Sequence, residues 1–167
     1  DDHEGTRLED AVARARQGMK VMLRQGSAWH DVAAQVAAVT EQGLDPRHFL
    51  LVTDDCHSGT LAHEGHVDRV VREAIRCGLP PMTALQMATL NTAEHFGLER
   101  ELGSIAPGRR ADLILTSDLP ALPVETVIAR GRVMARSGEL AADIAPYRYP
   151  ASAKDTVRLA RRLVAAD

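Results

Sequence analysis

The stretch FLLVTDDCH at residues 49–57 joins a short apolar run to two adjacent carboxylates and an imidazole. An apolar run of this length, bounded by polar residues, is typical of a buried parallel strand. Parallel α/β sheets and barrels keep their active sites at the carboxyl ends of such strands. A buried carboxylate is costly unless it is paired or binds a metal. Asp54, Asp55 and His57 therefore indicate a bound cation or proton-transfer chemistry.

The segment before this stretch predicts a neighbouring parallel strand. KVMLR at residues 20–24 has the composition of a strand. Val32, Val36 and Val39 then follow at helical spacing and lead to Gly43, which predicts one helix between the two strands. A strand, a helix and a strand joined by short loops form a βαβ unit, whose strands are parallel.

Helices are predicted on both sides of this unit. Thr6 and Glu9 have the spacing of a capping box, and Gly18 suits the end of the helix that it begins. The elements predicted after the acidic pair are a loop over 59–65, a helix over 66–77, a helix with Pro81 in its first turn, a break at Asn91 and a helical turn over 92–97.

The pattern changes near Leu98, where strands replace helices. The predicted strands cover residues 111–115, 124–129 and 132–135. Arg130 and Gly131 lie between the last two, which predicts a hairpin. The first two-thirds of the chain is therefore α/β, and a small β unit follows it.

The composition excludes several classes of partner. The chain has 167 residues, of which 45% are hydrophobic and 26% charged, as in an ordinary globular domain. A net charge of −3 and 3% aromatic residues do not favour nucleic acid or an anionic membrane as a partner. No apolar stretch reaches the roughly 18 residues of a membrane span. Two cysteines do not make a disulfide framework, so we expect a cytoplasmic protein.

Six segments of the chain resemble the amidohydrolase superfamily and, within it, the adenine deaminases. They are DHE at 2–4, GMKVMLRQGS at 18–27, VTDD at 52–55, EGHVD at 64–68, MATLNTAEHFGL at 87–98 and LGSIAPGRRADLI at 102–114. The last segment is shared by many amidohydrolases and says little about the substrate. The combination of DHE, GMKVMLRQGS, TDD and EGH is what resembles adenine deaminases.

The resemblance implies an α/β fold, namely the C-terminal part of a (β/α)₈ barrel followed by part of a small composite β domain. In that frame residues 1–98 would form the last strands and helices of the barrel. Residues 99–145 would belong to the composite β domain, and 146–167 would be a linker towards a C-terminal region. The family's His-x-His pair, its bridging acidic ligand and its fifth-strand His have no match here. We therefore expect a chain truncated at both ends.

The resemblance also implies a metal site. His3 would end the sixth barrel strand, residues 20–24 would be the seventh strand, and residues 50–53 would be the eighth. His3 and Asp54 would then be metal ligands. Their donor atoms suit divalent Mn or Fe, with Zn as an alternative. The full-length enzyme would hold two metal ions and form a homo-oligomer.

The reaction that this resemblance implies is hydrolysis of adenine to hypoxanthine and ammonia. Water activated by the metal would supply hydroxide, and Asp54 would be the catalytic carboxylate that handles its proton. Asp54 could instead only cap a helix after the strand. Asp55 could orient the purine or cap a loop, and Glu4 could contact the substrate or support a ligand. Glu64 could contact the substrate or stabilise the start of a helix.

Two alternatives remain open from the sequence. The first is an amidohydrolase that acts on a cyclic amide, as dihydroorotases and imidazolonepropionases do, because the final segment would serve either. The second is a non-catalytic piece, because two ligands rarely make a tight metal site. The H-x-E…P-C-x-x-C signature of the zinc nucleobase deaminases is absent, which argues against that class. We expect the isolated chain to be inactive.

Overall fold

The computed structural model describes residues 1–154, 156–161 and 164. Part of the predicted linker over 146–167 therefore lies outside the described residues. The helices are α1 (Leu8–Arg16), α2 (Val32–Gln35), α3 (Ala37–Thr40), α4 (Ser58–His63), α5 (Val67–Arg76), α6 (Pro81–Ala88) and α7 (Leu90–His95), with 3-10 turns at Pro46–His48 and Ala151–Ala153. The strands are β1 (Val21–Arg24), β2 (Phe49–Val52), β3 (Leu113–Leu115), β4 (Thr126–Ala129), β5 (Arg132–Arg136) and β6 (Glu139–Leu140).

The two strands predicted around the first βαβ unit pair in parallel. Val21 lies opposite Phe49 and Arg24 lies opposite Val52, so β1 and β2 end at the same level. Asp2 forms a further parallel bridge to Val21 on the other side of β1. Three chain segments therefore run side by side in one direction, and the residues that follow them meet at one edge. The α/β character predicted from the sequence is confirmed.

The core surrounds this parallel pair. Leu23 and Phe49 are fully buried: α1 and α2 contact β1, while α5 and α6, whose Val70, Ala74 and Met87 belong to the same core, contact β2. Continuous burial explains why both strands are almost wholly apolar, since a parallel strand in such a fold is covered on both faces. The predicted helix over 66–77 is observed as α5.

Three local predictions are wrong for identifiable reasons. The helix predicted over 32–43 is interrupted at Val36, which separates α2 from α3. The predicted loop over 59–65 contains α4, whose composition has too little apolar periodicity to predict a helix. At the start of α1, the carboxylate of Asp10 rather than Glu9 accepts the N–H groups of Thr6 and Arg7.

Asn91 does not interrupt a helix but lies inside α7. It is 4% exposed, and its amide group donates to the carbonyls of Pro46 and Phe49, each at 2.9 Å. These carbonyls belong to the segment that enters β2. A buried polar side chain needs such partners, so Asn91 fixes α7 against the start of that strand.

Strands β3 to β6 form, within the described residues, a four-stranded antiparallel sheet in chain order. The hairpin predicted at Arg130 and Gly131 is confirmed, and both residues have positive φ (50° and 76°), as a type I′ turn requires. Ser137 and Gly138 repeat this geometry before β6, which was not predicted. Leu122, which is 1% exposed, inserts into the core beneath the helices and anchors this sheet.

Candidate functional site at the carboxyl ends of the parallel strands

Charged side chains meet where the three parallel segments end. Glu4 follows the segment that bridges to β1, Arg24 is the last residue of β1, and Asp54 lies two residues after β2. The register of β1 and β2 brings the latter two together. This edge is where parallel α/β folds place ligands and catalytic groups.

Arg24 is the centre of this cluster and was not singled out by the sequence. Its side chain is only 4% exposed. The Nε atom donates to Asp31 at 2.8 Å, and Nη1 donates to Glu4 at 3.1 Å and to Asp54 at 2.7 Å. The guanidinium also lies 4.9 Å from the ring centroid of Trp29. A buried arginine requires carboxylate partners. The position of Arg24 at the end of an otherwise apolar strand could therefore have predicted a charged cluster.

Asp54 is held in a defined orientation. One carboxylate oxygen accepts the N–H of Asp55 at 2.7 Å, and the other accepts Nη1 of Arg24. Partial burial raises the pKa of the Asp54 carboxyl. The Asp55 N–H and the Arg24 guanidinium together lower that pKa by a larger amount, so it lies below its ordinary value. Asp54 also has a φ of 59°, a left-handed conformation that is uncommon outside glycine. Its carboxylate does not cap a helix, because α4 begins at Ser58.

The loop after β1 packs tightly on the loop that carries Asp54. A Cβ on Gly26 would lie 2.8 Å from the carbonyl oxygens of both Thr53 and Asp55, so only glycine allows this approach. The N–H of Ser27 donates to the carbonyl of Asp55 at 3.0 Å. The backbone around Asp54 is therefore fixed from the β1 side.

Arg69 of α5 binds the backbone of the loop that follows β1. Its Nη2 donates to the carbonyls of Gln25 and Gly26 at 2.7 and 2.8 Å. Glu64 lies 3.6 Å from Nη1 of Arg69 and its side chain is 58% exposed. Glu64 is the C-terminal capping residue of α4 and lies two residues before His66, the N-cap of α5, so the expectation that it stabilises the start of a helix stays a prediction. Its predicted contact with substrate stays a prediction.

The remaining sequence candidates lie at the open side of the cluster. His3 contacts Glu4 at 3.2 Å, and their side chains are 49% and 66% exposed. Glu4 thus joins His3 to Arg24. Asp55 is exposed, as is His57. The predicted roles of Glu4 and Asp55 towards a substrate stay predictions.

The side chains of His3 and Asp54 provide some, but not all, of the ligands that a divalent cation needs. His3 offers an imidazole and Asp54 a carboxylate, both suitable ligands for Mn, Fe or Zn. Within residues 1–154, 156–161 and 164, however, no group of three His, Cys, Asp or Glu side chains is arranged to hold a metal ion. Catalytic zinc sites use three protein ligands, so His3 and Asp54 would not complete a site by themselves.

A family model and several curated proteins match most or all of the chain. The family model described as "Amidohydrolase family" matches residues 6–134. "Adenine deaminase 3" of Rhizobium meliloti (strain 1021) is 70% identical over all 167 residues, and the chain covers 28% of its length. "Adenine deaminase" of Mesorhizobium japonicum is 65% identical with the same coverage, and that of Rubrobacter xylanophilus is 55% identical over 159 residues. The chain therefore spans about a quarter of the length of these curated relatives.

Solved structures agree on the fold. The β-aspartyl dipeptidase of Fervidobacterium islandicum AW-1 superposes with a TM-score of 0.64 at 21% identity, over 83% of this chain and 38% of the dipeptidase. Molinate hydrolase gives a TM-score of 0.55 at 18% identity, over 93% of this chain and 39% of the hydrolase. At such low identity these likenesses concern architecture alone.

No helix among the described residues is both long and apolar enough to cross a lipid bilayer.

Proposed function

Because this chain belongs to the amidohydrolase family, we propose that it forms the C-terminal part of the barrel in a longer enzyme that hydrolyses adenine to hypoxanthine and ammonia. The observation that carries the proposal is 55–70% identity, over nearly the whole chain, to proteins named adenine deaminase. The same relatives favour adenine over a cyclic amide as substrate. The charged cluster at the carboxyl ends of β1 and β2 supports this role, since it lies where the chemistry of such folds takes place.

Asp54 is the proposed catalytic carboxylate. A carboxylate is anionic at neutral pH, so Asp54 can accept a proton from the attacking water. The water oxygen then bonds to C6 of adenine, and the same carboxylate returns the proton to the departing amino nitrogen. The C6–N bond breaks, ammonia leaves and hypoxanthine remains. A divalent metal, when bound, would lower the pKa of water towards 7 and so supply the nucleophile at neutral pH.

His3 and Asp54 are the residues of this chain that would hold the metal, which we propose to be Mn or Fe, with Zn as an alternative. The longer enzyme would supply the other ligands and bind two ions. Asp55, Glu4 and Glu64 are proposed to contact the substrate. All three carboxylates are exposed and could accept hydrogen bonds from purine N–H groups, and Glu4 already contacts Arg24 of the cluster.

The proposed division of the chain follows its two kinds of structure. Residues 1–98 would form the end of the barrel, residues 99–145 part of the composite β domain, and residues 146–167 a linker. We further propose a cytoplasmic homo-oligomer with a role in purine salvage or adenine catabolism, without nucleic acid or a membrane as partner. The net charge of −3 is consistent with this.

The test is ammonia release from adenine by the longer enzyme reconstituted with Mn²⁺ or Fe²⁺. Asp54→Asn removes the proton acceptor, and we expect kcat to fall by about 10²- to 10⁴-fold. Asp45→Asn is the matched control, because Asp45 pairs with Arg47 just before β2, at the opposite end of the strand. The metal-loaded wild-type enzyme must turn over adenine, or the substrate is wrong. An Asp54→Asn variant with wild-type kcat would refute the role of that carboxylate.

A further inference from the structure

Asp31 is the residue whose position requires explanation. It precedes α2 at the capping position, where an aspartate normally accepts N–H groups of its own helix. Here the carboxylate makes no capping hydrogen bond and instead accepts Nε of Arg24 at 2.8 Å. The backbone N–H of Asp31 also donates to the carbonyl of Arg24 at 3.1 Å. Asp31 thus holds the last residue of β1 by both its main chain and its side chain.

The guanidinium of Arg24 is held in one orientation by three groups. Asp31 binds Nε, the ring of Trp29 lies against the guanidinium at 4.9 Å, and Glu4 binds Nη1. A planar guanidinium fixed at Nε has a fixed Nη1 direction, because these atoms share one rigid group. Nη1 points at the carboxylate of Asp54 at 2.7 Å.

We propose that Arg24, anchored by Asp31, is a positioning residue that sets the orientation of the Asp54 carboxylate for the reaction. The proposal rests on the proposed function for its kinetic consequences but not for its geometry. Arg24 is buried and bonds Asp54 at 2.7 Å, a shorter contact than the 3.1 Å to Glu4, so we expect its loss to act mainly on the chemical step that Asp54 performs. Partners that orient catalytic carboxylates typically change activity by about 10- to 100-fold when they are lost.

Two substitutions in the metal-loaded longer enzyme test the anchor. Asp31→Asn keeps the shape of the side chain but weakens its hold on Nε, and we expect kcat for adenine to fall by about 10-fold with little change in KM. Arg24→Lys offers a single ammonium that cannot bond Asp31 and Asp54 in the geometry of Arg24, so we expect a fall of similar size or larger. Asp45→Asn is again the control and should leave kcat unchanged. Wild-type kcat in both test variants would overturn the proposal.

Chemical rescue separates positioning from folding. In Arg24→Ala we expect kcat to fall by about 10²-fold, since small displacements of a catalytic group have effects of that size. Added guanidinium ion should occupy the space left by the side chain and restore part of kcat without changing KM. The same concentration in Asp31→Ala and in Asp45→Asn controls for general effects of the ion. Rescue of kcat in Arg24→Ala alone supports the proposal, whereas rescue of none of the variants contradicts it.

A structural readout keeps the two proposals distinguishable. If the wild-type enzyme does not turn over adenine, the proposed function fails, and crystal structures of wild type and Asp31→Asn then decide the positioning role. A displaced Asp54 carboxylate in Asp31→Asn supports it. An Asp54 carboxylate in the wild-type position overturns it.

Discussion

The parallel strands β1 and β2 and the antiparallel sheet β3–β6 place apolar residues in opposite surroundings. Leu23 and Leu50 in the parallel pair are completely buried. Ile114 and Leu115 in β3 are 43% and 51% exposed. Helices cover the parallel pair, as folds with parallel sheets require. Leu122, in the segment between β3 and β4, belongs to this core.

This difference supports the proposed location of the chemistry at the ends of the parallel strands. A carboxylate or guanidinium at the edge of a buried sheet is partly removed from water, so its hydrogen bonds and charges have strong effects. Arg24 and Asp54 have this environment, with side chains 4% and 17% exposed. Arg110 and Glu101, near the antiparallel sheet, form an ion pair between side chains that are 43% and 58% exposed. Pairs of that kind contribute little to stability.

The largest expected difference between the two regions concerns packing. Leu23→Ala removes a fully buried side chain from β1 and should lower the free energy of unfolding by about 2–5 kcal/mol. Ile114→Ala is its matched control in β3 and should cost about 1 kcal/mol or less, because Ile114 is already partly exposed. Urea unfolding of the longer enzyme measures both. Equal losses would show that β3 is as well packed as β1.

A smaller difference is expected for two glycines. Gly26→Ala should cost about 1–3 kcal/mol, because its Cβ would collide with the carbonyls of Thr53 and Asp55. Gly131→Ala meets no atom within 4 Å, but its φ of 76° should cost about 1–2 kcal/mol.

The two glycine variants should differ far more in activity than in stability. Gly26→Ala moves the loop that carries Asp54, so kcat should fall by about 10²-fold, whereas Gly131→Ala should keep wild-type kcat. Thermal unfolding and ammonia release from adenine check both quantities. A Gly26→Ala enzyme with normal kcat would show that the two loops can separate without consequence.

The smallest effect concerns pH. Burial raises the pKa of Asp68, but hydrogen bonds from the His66 N–H and Arg72, with the charge of Arg72, lower it below its ordinary 3.8. The resulting stability is present above about pH 3.8 and is lost as the pH falls through the folded-state pKa. Asp68→Asn should therefore destabilise the enzyme at neutral pH and have less effect in acid.

Thermal unfolding as a function of pH measures this difference, and Asp143→Asn, an exposed carboxylate beyond β6, is the control. A stability difference between wild type and Asp68→Asn that stays constant from neutral pH down to about pH 3 would contradict the assignment.

The elements predicted correctly were those with strong local patterns. The apolar runs of β1 and β2, the periodic face of α5 and the turn at Arg130 and Gly131 each act over a few neighbouring residues. The secondary-structure predictions were wrong where a contact with a residue distant along the chain determines the local conformation. Asn91 was predicted to interrupt a helix because its local preference favours turns, but two carbonyls at the start of β2 satisfy its amide inside α7.

The candidate site shows the same limit. Asp54 and Glu4 could be named as candidates because each lies in a recognisable segment, and the structure places both beside Arg24. Arg24 could not, because its proposed role depends on partners seven, 20 and 30 residues away along the chain. The helix α4 just before Glu64 was not predicted, because its residues have no clear apolar period.

Hydrophobic patterning and short connections were enough to predict the α/β class, the parallel direction of β1 and β2 and the carboxylates that follow β2. The three-dimensional packing was needed to show that the Asp31 carboxylate bonds Arg24 rather than the N-terminus of α2, and that Arg24 in turn bonds Asp54. The physical reason is that a buried charge must find its partners in space, and the register of the strands, rather than their order along the chain, determines which partners are within reach.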